Sequence, residues 1–155
     1  DFPSYAPKLY MQFRKYFLSA DTANPNKIYL HQFGKRGEYY GITYNTKIRI
    51  IVNPHSNIEK VYDNVIFNID KTGSTLVNKI TLTTPNGVHT LFIKTDPRAE
   101  YREDLLHFPL MELLKDDRVR GKAVEMEIEF ENANDKPLIF TSMTTVYRTS
   151  KKMNG

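Results

Sequence analysis

The sequence predicts an all-β fold with one or two short helices, arranged as an antiparallel β-sandwich of the jelly-roll or immunoglobulin-like kind. Three observations predict it. In KAVEMEIEFE, residues 122–131, Val124, Met126, Ile128 and Phe130 alternate with Glu125, Glu127, Glu129 and Glu131, the period of a strand with one face on a core. Similar short runs recur along the chain, about seven to nine of them, separated by turn residues as in a sandwich or barrel. The length, 155 residues without repeat or low-complexity block, suits one domain, expected over residues 9–149, and a domain of that size buries roughly 68–70% of its unfolded surface.

The elements follow in order. Residues 1–8 (DFPSYAPK) carry two prolines and form a lead-in linker. Leu9 to Leu18 (LYMQFRKYFL) is rich in aromatics and predicts one strand. Ala20 to Asn26 is a turn cluster and Lys27 to Gln32 a second short strand. Phe33 to Tyr44 holds Gly34, Gly37 and Gly41 with three tyrosines, a loop whose glycines suit positive φ or a bulge. Thr46 to Val52 puts Lys47 and Arg49 on one face and Ile48, Ile50 and Val52 on the other, and Asn53-Pro54 ends it. Ile58 to Ile69 is a further strand with a bend expected at Asp63-Asn64. Lys71 to Gly73 signals a turn. Leu76 to Thr83 and Val88 to Lys94 form a hairpin through Thr84-Pro85-Asn86-Gly87. Within residues 96–122 short helical turns are expected around Glu103 to His107 or Leu110 to Lys115, limited by Pro109. The acidic strand comes next, then a turn at Asn132 to Lys136, a closing strand from Pro137 to Tyr147, and a polar tail, residues 150–155.

Composition narrows the function classes. There is no cysteine, hence no disulfide and no thiol nucleophile. The 22 basic residues exceed the 18 acidic ones by a formal +4, scattered in short clusters instead of the stripe interleaved with aromatics that marks a nucleic-acid binder. Apolar runs fall far short of the ~20 residues of a membrane-spanning helix. The N-terminus lacks a methionine, a basic region and an apolar region, so it is not a signal peptide. A chain beginning at Asp1 is expected to be a fragment of a longer protein.

The residues do not predict an enzyme or a cofactor. His31, His55, His89 and His107 show no metal-ligand spacing. Gly34, Gly37 and Gly41 match neither phosphate-binding pattern, and no GxSxG turn occurs. Carboxylates two apart on a strand lie about 6.6 Å from each other, which overlaps an inverting glycosidase pair. A solvated row, however, neither flanks a sugar nor raises a pKa through burial. Glu125, Glu127 and Glu129 are therefore candidate interface residues, with Lys47 and Arg49 as cross-strand partners. Tyr39, Tyr40 and Tyr44 have three readings: cover for one end of the core, a protein interface, or a sugar platform.

Several segments carry a resemblance when taken together: IYLHQFGKRGEYYGITYNTKIRIIVNP, IEKVYDNVIFNID, YREDLLHFPL, DDRVRGKAVEMEIEFEN and LIFTSMTTVYR. Their order, and above all VNP…EKVYDN with DRVRGK, resembles the C-terminal region of virion proteins of the tail, muzzle or stabilisation type in crAss-like and related Bacteroidetes phages, from about Ile28 to Arg148. The resemblance implies a non-enzymatic virion part of the head–tail or tail assembly, put together in the bacterial host cytoplasm. It implies contact with other virion proteins and a homo-oligomer of the full-length parent, and it transfers no catalytic residue. Within DRVRGK, Arg118 and Arg120 are further candidate interface residues, expected to anchor the preceding loop by bidentate pairs to carboxylates. The alternative is a carbohydrate- or receptor-binding module of a phage tail or bacterial surface protein, meeting a host surface glycan at Tyr39, Tyr40 and Tyr44.

Overall fold

The alternation in the acidic strand sets the architecture of the larger part of the chain. In the computed structural model, which describes residues 7–31, 33–35, 37–69, 77–103, 105–111, 118–131 and 139–150, the chain divides into two units, Asp1–Asn45 and Thr46–Gly155.

The larger unit holds β6 (Thr46–Val52), β7 (Lys60–Ile69), β8 (Val77–Thr84), β9 (Gly87–Leu91), β10 (Glu100–Arg102), β11 (Leu105–Pro109), β12 (Arg120–Gly121), β13 (Val124–Phe130) and β14 (Phe140–Thr149). One sheet has the order β6-β13-β8-β9, so the acidic strand β13 is flanked on both edges. The other is built on β7. Along one edge of β7 lie β11, with β10 outside it, and then β12; the opposite edge carries β14. All these pairings are antiparallel.

The inner faces form one core. Val124, Met126, Ile128 and Phe130 of β13 are fully buried and share a cluster with Tyr62, Val65 and Phe67 of β7, Leu106 and Phe108 of β11, and Ile80 and Leu82 of β8. Phe140 of β14 bridges the two sheets, with ring centroids 6.0 Å from both Phe130 and Phe67. The fold is thus the all-β sandwich expected, each buried aliphatic or aromatic side chain contributing about 1.5–3 kcal/mol by leaving water.

The bend expected at Asp63-Asn64 is a β-bulge. Val146 of β14 pairs with Asn64 and Tyr147 with Tyr62, so Asp63 is skipped. The extra residue brings both Tyr62 and Val65, three apart in sequence, onto the inner face, where both are buried.

The smaller unit contains β1 (Pro7–Phe13), β2 (Tyr16–Asp21) and β3 (Ile28–Leu30) in an antiparallel sheet of that order. A second hairpin pairs β4 (Glu38–Tyr39) with β5 (Ile42–Thr43). Its two turn residues, Tyr40 and Gly41, have φ of 54° and 82°, the two positive values a type I′ turn demands.

Several expectations are corrected. Leu9 to Leu18 is a hairpin, not one strand: Phe13 pairs with Tyr16 across Arg14-Lys15, with Arg14 at φ 54°. The helical turn expected at Glu103 to His107 is replaced by the hairpin β10–β11, because Leu106 and Phe108 alternate into the core. Of the turn expected at Leu110 to Lys115, residues 112–117 lie outside the described residues; Leu110 donates its N–H to the Asp63 carbonyl, and Met111 makes an antiparallel bridge to Arg118. The helical element among the described residues is a 3-10 turn, Ile93–Thr95, where the strand from Val88 was expected to continue. The turns at Lys71 to Gly73 and Asn132 to Lys136 and most of the tail fall outside the described residues.

Candidate functional site

The central position of β13 decides what its carboxylates meet. Strand register places Glu127 opposite Arg49 on β6, and Glu129 between Lys47 on β6 and Lys79 on β8. Lys47 Nζ lies 3.0 Å from Glu127 Oε1 and 3.6 Å from Glu129 Oε2. Arg49 reaches Glu127 at 3.0 Å through Nη2 and Glu125 at 3.2 Å through Nε. Glu129 is additionally held by Lys79 Nζ at 3.2 Å and by Asn78 Nδ2, which donates at 3.1 Å. Side-chain exposure falls along the row, from 42% at Glu125 to 22% at Glu127 and 8% at Glu129.

The row is a laddered set of ion pairs, balanced within its own sheet. Hydrogen bonds from Arg49 and then Lys47 hold the Glu127 carboxyl below the usual carboxylate range, and the Glu127 hydrogen bond raises Lys47 in turn. That direction is opposite to the one a general acid needs.

Arg118 and Arg120 stand elsewhere, on the β7 sheet. Arg118 Nη1 contacts Asp63 Oδ1 at 3.1 Å and Arg148 Nε contacts Asp63 Oδ2 at 3.2 Å, so the bulge residue is clamped from both sides of β7. Arg120 donates to the Ser150 hydroxyl at 3.2 Å. The Arg118 contact is a carboxylate pair to β7; the expected anchoring of the preceding loop, residues 112–117, lies outside the described residues.

Tyr39, Tyr40 and Tyr44 belong to the smaller unit and are all half-buried. The Tyr40 hydroxyl is 2.7 Å from Ser19 Oγ, and its ring meets Tyr29 edge-on at 4.6 Å. Tyr39 and Tyr44 pack on each other at 6.3 Å, and the Tyr44 N–H donates to the Gly37 carbonyl. Ser19, almost wholly buried, also bonds His31 Nε2 at 2.6 Å. Burial lowers the His31 pKa, favouring the neutral ring.

Three features escape sequence reasoning. Lys60 is fully buried and donates to the carbonyls of His55 and Ile58, both at 2.9 Å; burial, and then the charge of Lys122, lowers its pKa. The signal was available, since Lys60 has the same strand parity as the inward Tyr62. Arg98 grips Asp96 with Nε at 2.9 Å and Nη2 at 2.6 Å, and donates to the Met111 carbonyl. That grip depresses the Asp96 pKa. The Ser19–His31 bond joins β2 to the residue that follows β3, and no spacing announces it. Among the described residues no group of three or more His, Asp or Glu side chains is placed to hold a metal ion, and no helix is long and apolar enough to cross a membrane.

Residues 34–112 match the Crassvirus muzzle protein C-terminal domain. The chain belongs to this family. The match spans just over half of the sequence and takes in the β4–β5 hairpin and β6 to β11, which is narrower than the resemblance expected from Ile28 to Arg148. Of the candidate residues, Tyr39, Tyr40, Tyr44, Lys47 and Arg49 fall inside this crAss phage muzzle domain match, whereas Arg118, Arg120 and the Glu125–Glu129 row follow it. No curated protein matches the chain.

Proposed function

We propose that this muzzle structural domain works without catalysis, through protein–protein contacts with other virion proteins and with copies of its own parent in a symmetric head–tail assembly. Membership of the muzzle family carries the proposal. The geometry supports it: the acidic face of β13 pairs its acids with bases of its own sheet at 3.0–3.6 Å. A face so balanced lets a neighbour approach without an unpaired charge to desolvate. Lys47, Arg49, Glu125, Glu127 and Glu129 form one such face; Arg118 and Arg120 belong to a second, on the other sheet. Rings of this kind use heterologous contacts, one patch meeting a different patch on the next subunit. Assembly takes place in the host cytoplasm.

Mass photometry of the intact parent, with proteomics of purified particles, tests the proposal. A closed oligomer and a stoichiometric presence in particles are expected. A parent that stays monomeric and is missing from particles would end it. A host-surface glycan bound by the parent and lost on changing Tyr39, Tyr40 or Tyr44 to Ala would replace it with receptor binding.

A further inference from the structure

The sheet β1-β2-β3 has one apolar face and one mixed face, and β1 is exposed on both. On the mixed face Tyr10 stacks on Phe17 at 5.7 Å, and Ser19, His31 and Tyr40 join by hydrogen bonds. Strand register puts Leu9, Met11 and Phe13 of β1, Leu18 of β2, and Ile28 and Leu30 of β3 together on the other. That face is open to solvent: Leu9 is 62% exposed, Phe13 57% and Ile28 70%. Contiguous apolar surface of this kind, rimmed by charge, marks an interaction site.

Among the described residues the outer edge of β1 is unpaired too. β2 spends one edge on β1 and the other on β3, while β1 has no second neighbour among the described residues. Natural edges are blunted by charges or prolines within the strand. In β1 those devices are confined to its first two residues, Pro7 and Lys8, with a register shift before Leu9, whereas Leu9 to Phe13 (LYMQF) is uncharged and Arg14 and Lys15 follow it. Charge indicates the occupant. The unit Asp1–Asn45 contains six basic residues against three acidic ones, so it carries +3 of the chain's +4. A second copy of β1 fits poorly: the register that sets Leu9 against Phe13 and Met11 against Met11 also sets Lys8 against Arg14 at both ends, and like charges directly opposite are destabilising.

We infer that an extended segment of a different virion polypeptide, apolar at alternate positions and acidic at its flanks, adds to the free edge of β1 as a fourth strand and covers Leu9, Met11 and Phe13. Main-chain hydrogen bonds give such strand addition its affinity, and alternate side chains give its specificity. The inference rests on the muzzle-contact proposal above.

Particles carrying the parent with p-benzoylphenylalanine in place of Phe13 are irradiated, and cross-linked peptides are identified by mass spectrometry. The expected product joins β1 to an acid-flanked, alternating segment of another virion protein, and Met11→Glu, which charges the apolar face and repels acidic flanks, abolishes it. Circular dichroism of the Met11→Glu chain matching the original shows that the loss is not unfolding. A cross-link to β1 of a second copy, a cross-link to residues 46–155 of the same chain, or no cross-link in particles that contain the parent would overturn the docking inference alone. Particles lacking the parent would overturn the assembly proposal and this inference with it.

Discussion

Replacing each glutamate of the β13 row by glutamine should expose a gradient in stability. Glu129→Gln is the most damaging. Its carboxylate is 8% exposed and accepts from Asn78 while facing Lys79 at 3.2 Å and Lys47 at 3.6 Å. Glutamine keeps the shape and one acceptor but takes the counter-charge at 3.2 Å from Lys79, while Lys47 still faces Glu127 at 3.0 Å. A hydrogen bond to a charged group contributes about 1.5–3 kcal/mol, and Lys47, half exposed, recovers part of the loss by turning to water. The net cost expected is about 2 kcal/mol, or roughly 4–8 °C in Tm for a chain of this size. Glu125→Gln removes a contact between two well-exposed side chains and should fall within experimental error, as exposed pairs usually do. Glu127→Gln lies between. Urea unfolding at pH 7, followed by circular dichroism, gives the order directly. Equal losses at Glu125 and Glu129, or a larger loss at Glu125, would refute the claim that burial within the ladder sets the worth of each pair.

Three further outcomes follow from the structure. Phe108→Ala empties a fully buried site between the sheets and should cost about 3–5 kcal/mol, whereas Phe92→Ala, at an exposed position, should stay within about 0.5 kcal/mol, both measured by urea titration. Glu127 and Asp96 have depressed folded pKa values, so their stabilisation is complete above the unfolded carboxylate range near pH ~4 and is lost as pH falls through the folded values; Glu127→Gln should flatten the fall of the urea midpoint below about pH 4. Gly41→Val forces a β-branched residue to φ 82°, a penalty of about 1–2 kcal/mol, and should speed hydrogen exchange at the Tyr44 amide, which the hairpin holds on Gly37.

What was legible in the sequence follows from how each strand is buried. β6 and β13 lie between core and solvent, so their side chains alternate by type, and their bounds and facing residues could be placed from period alone. The pairing of Lys47 and Arg49 with the glutamates came from the same alternation. β1 carries exposed apolar or aromatic residues on both faces, which erases the alternation, and its turn into β2 is Arg14-Lys15, with neither glycine nor asparagine to mark it. β10–β11 is obscured by helix-forming Glu and Leu in YREDLLHFPL. The Asp63 clamp depends on Arg118, before β12, and Arg148 of β14 meeting at one bulge of β7, and no local pattern encodes a long-range register.

The way β11 and β12 share β7 has a consequence for how this domain can vary. Pro109 pairs with Asn64, the Leu110 amide bonds Asp63, the Tyr62 amide bonds Val119, and Arg120 resumes at Val61. The chain therefore leaves one rail and rejoins it a single residue further on, with Met111 and Arg118 fastening the gap. Insertions between these two fasteners leave every rung of both ladders in place, and each doubling of their length costs only about 0.6 kcal/mol in closure entropy. An insertion between Met111 and Arg118 should therefore leave both sheets in phase.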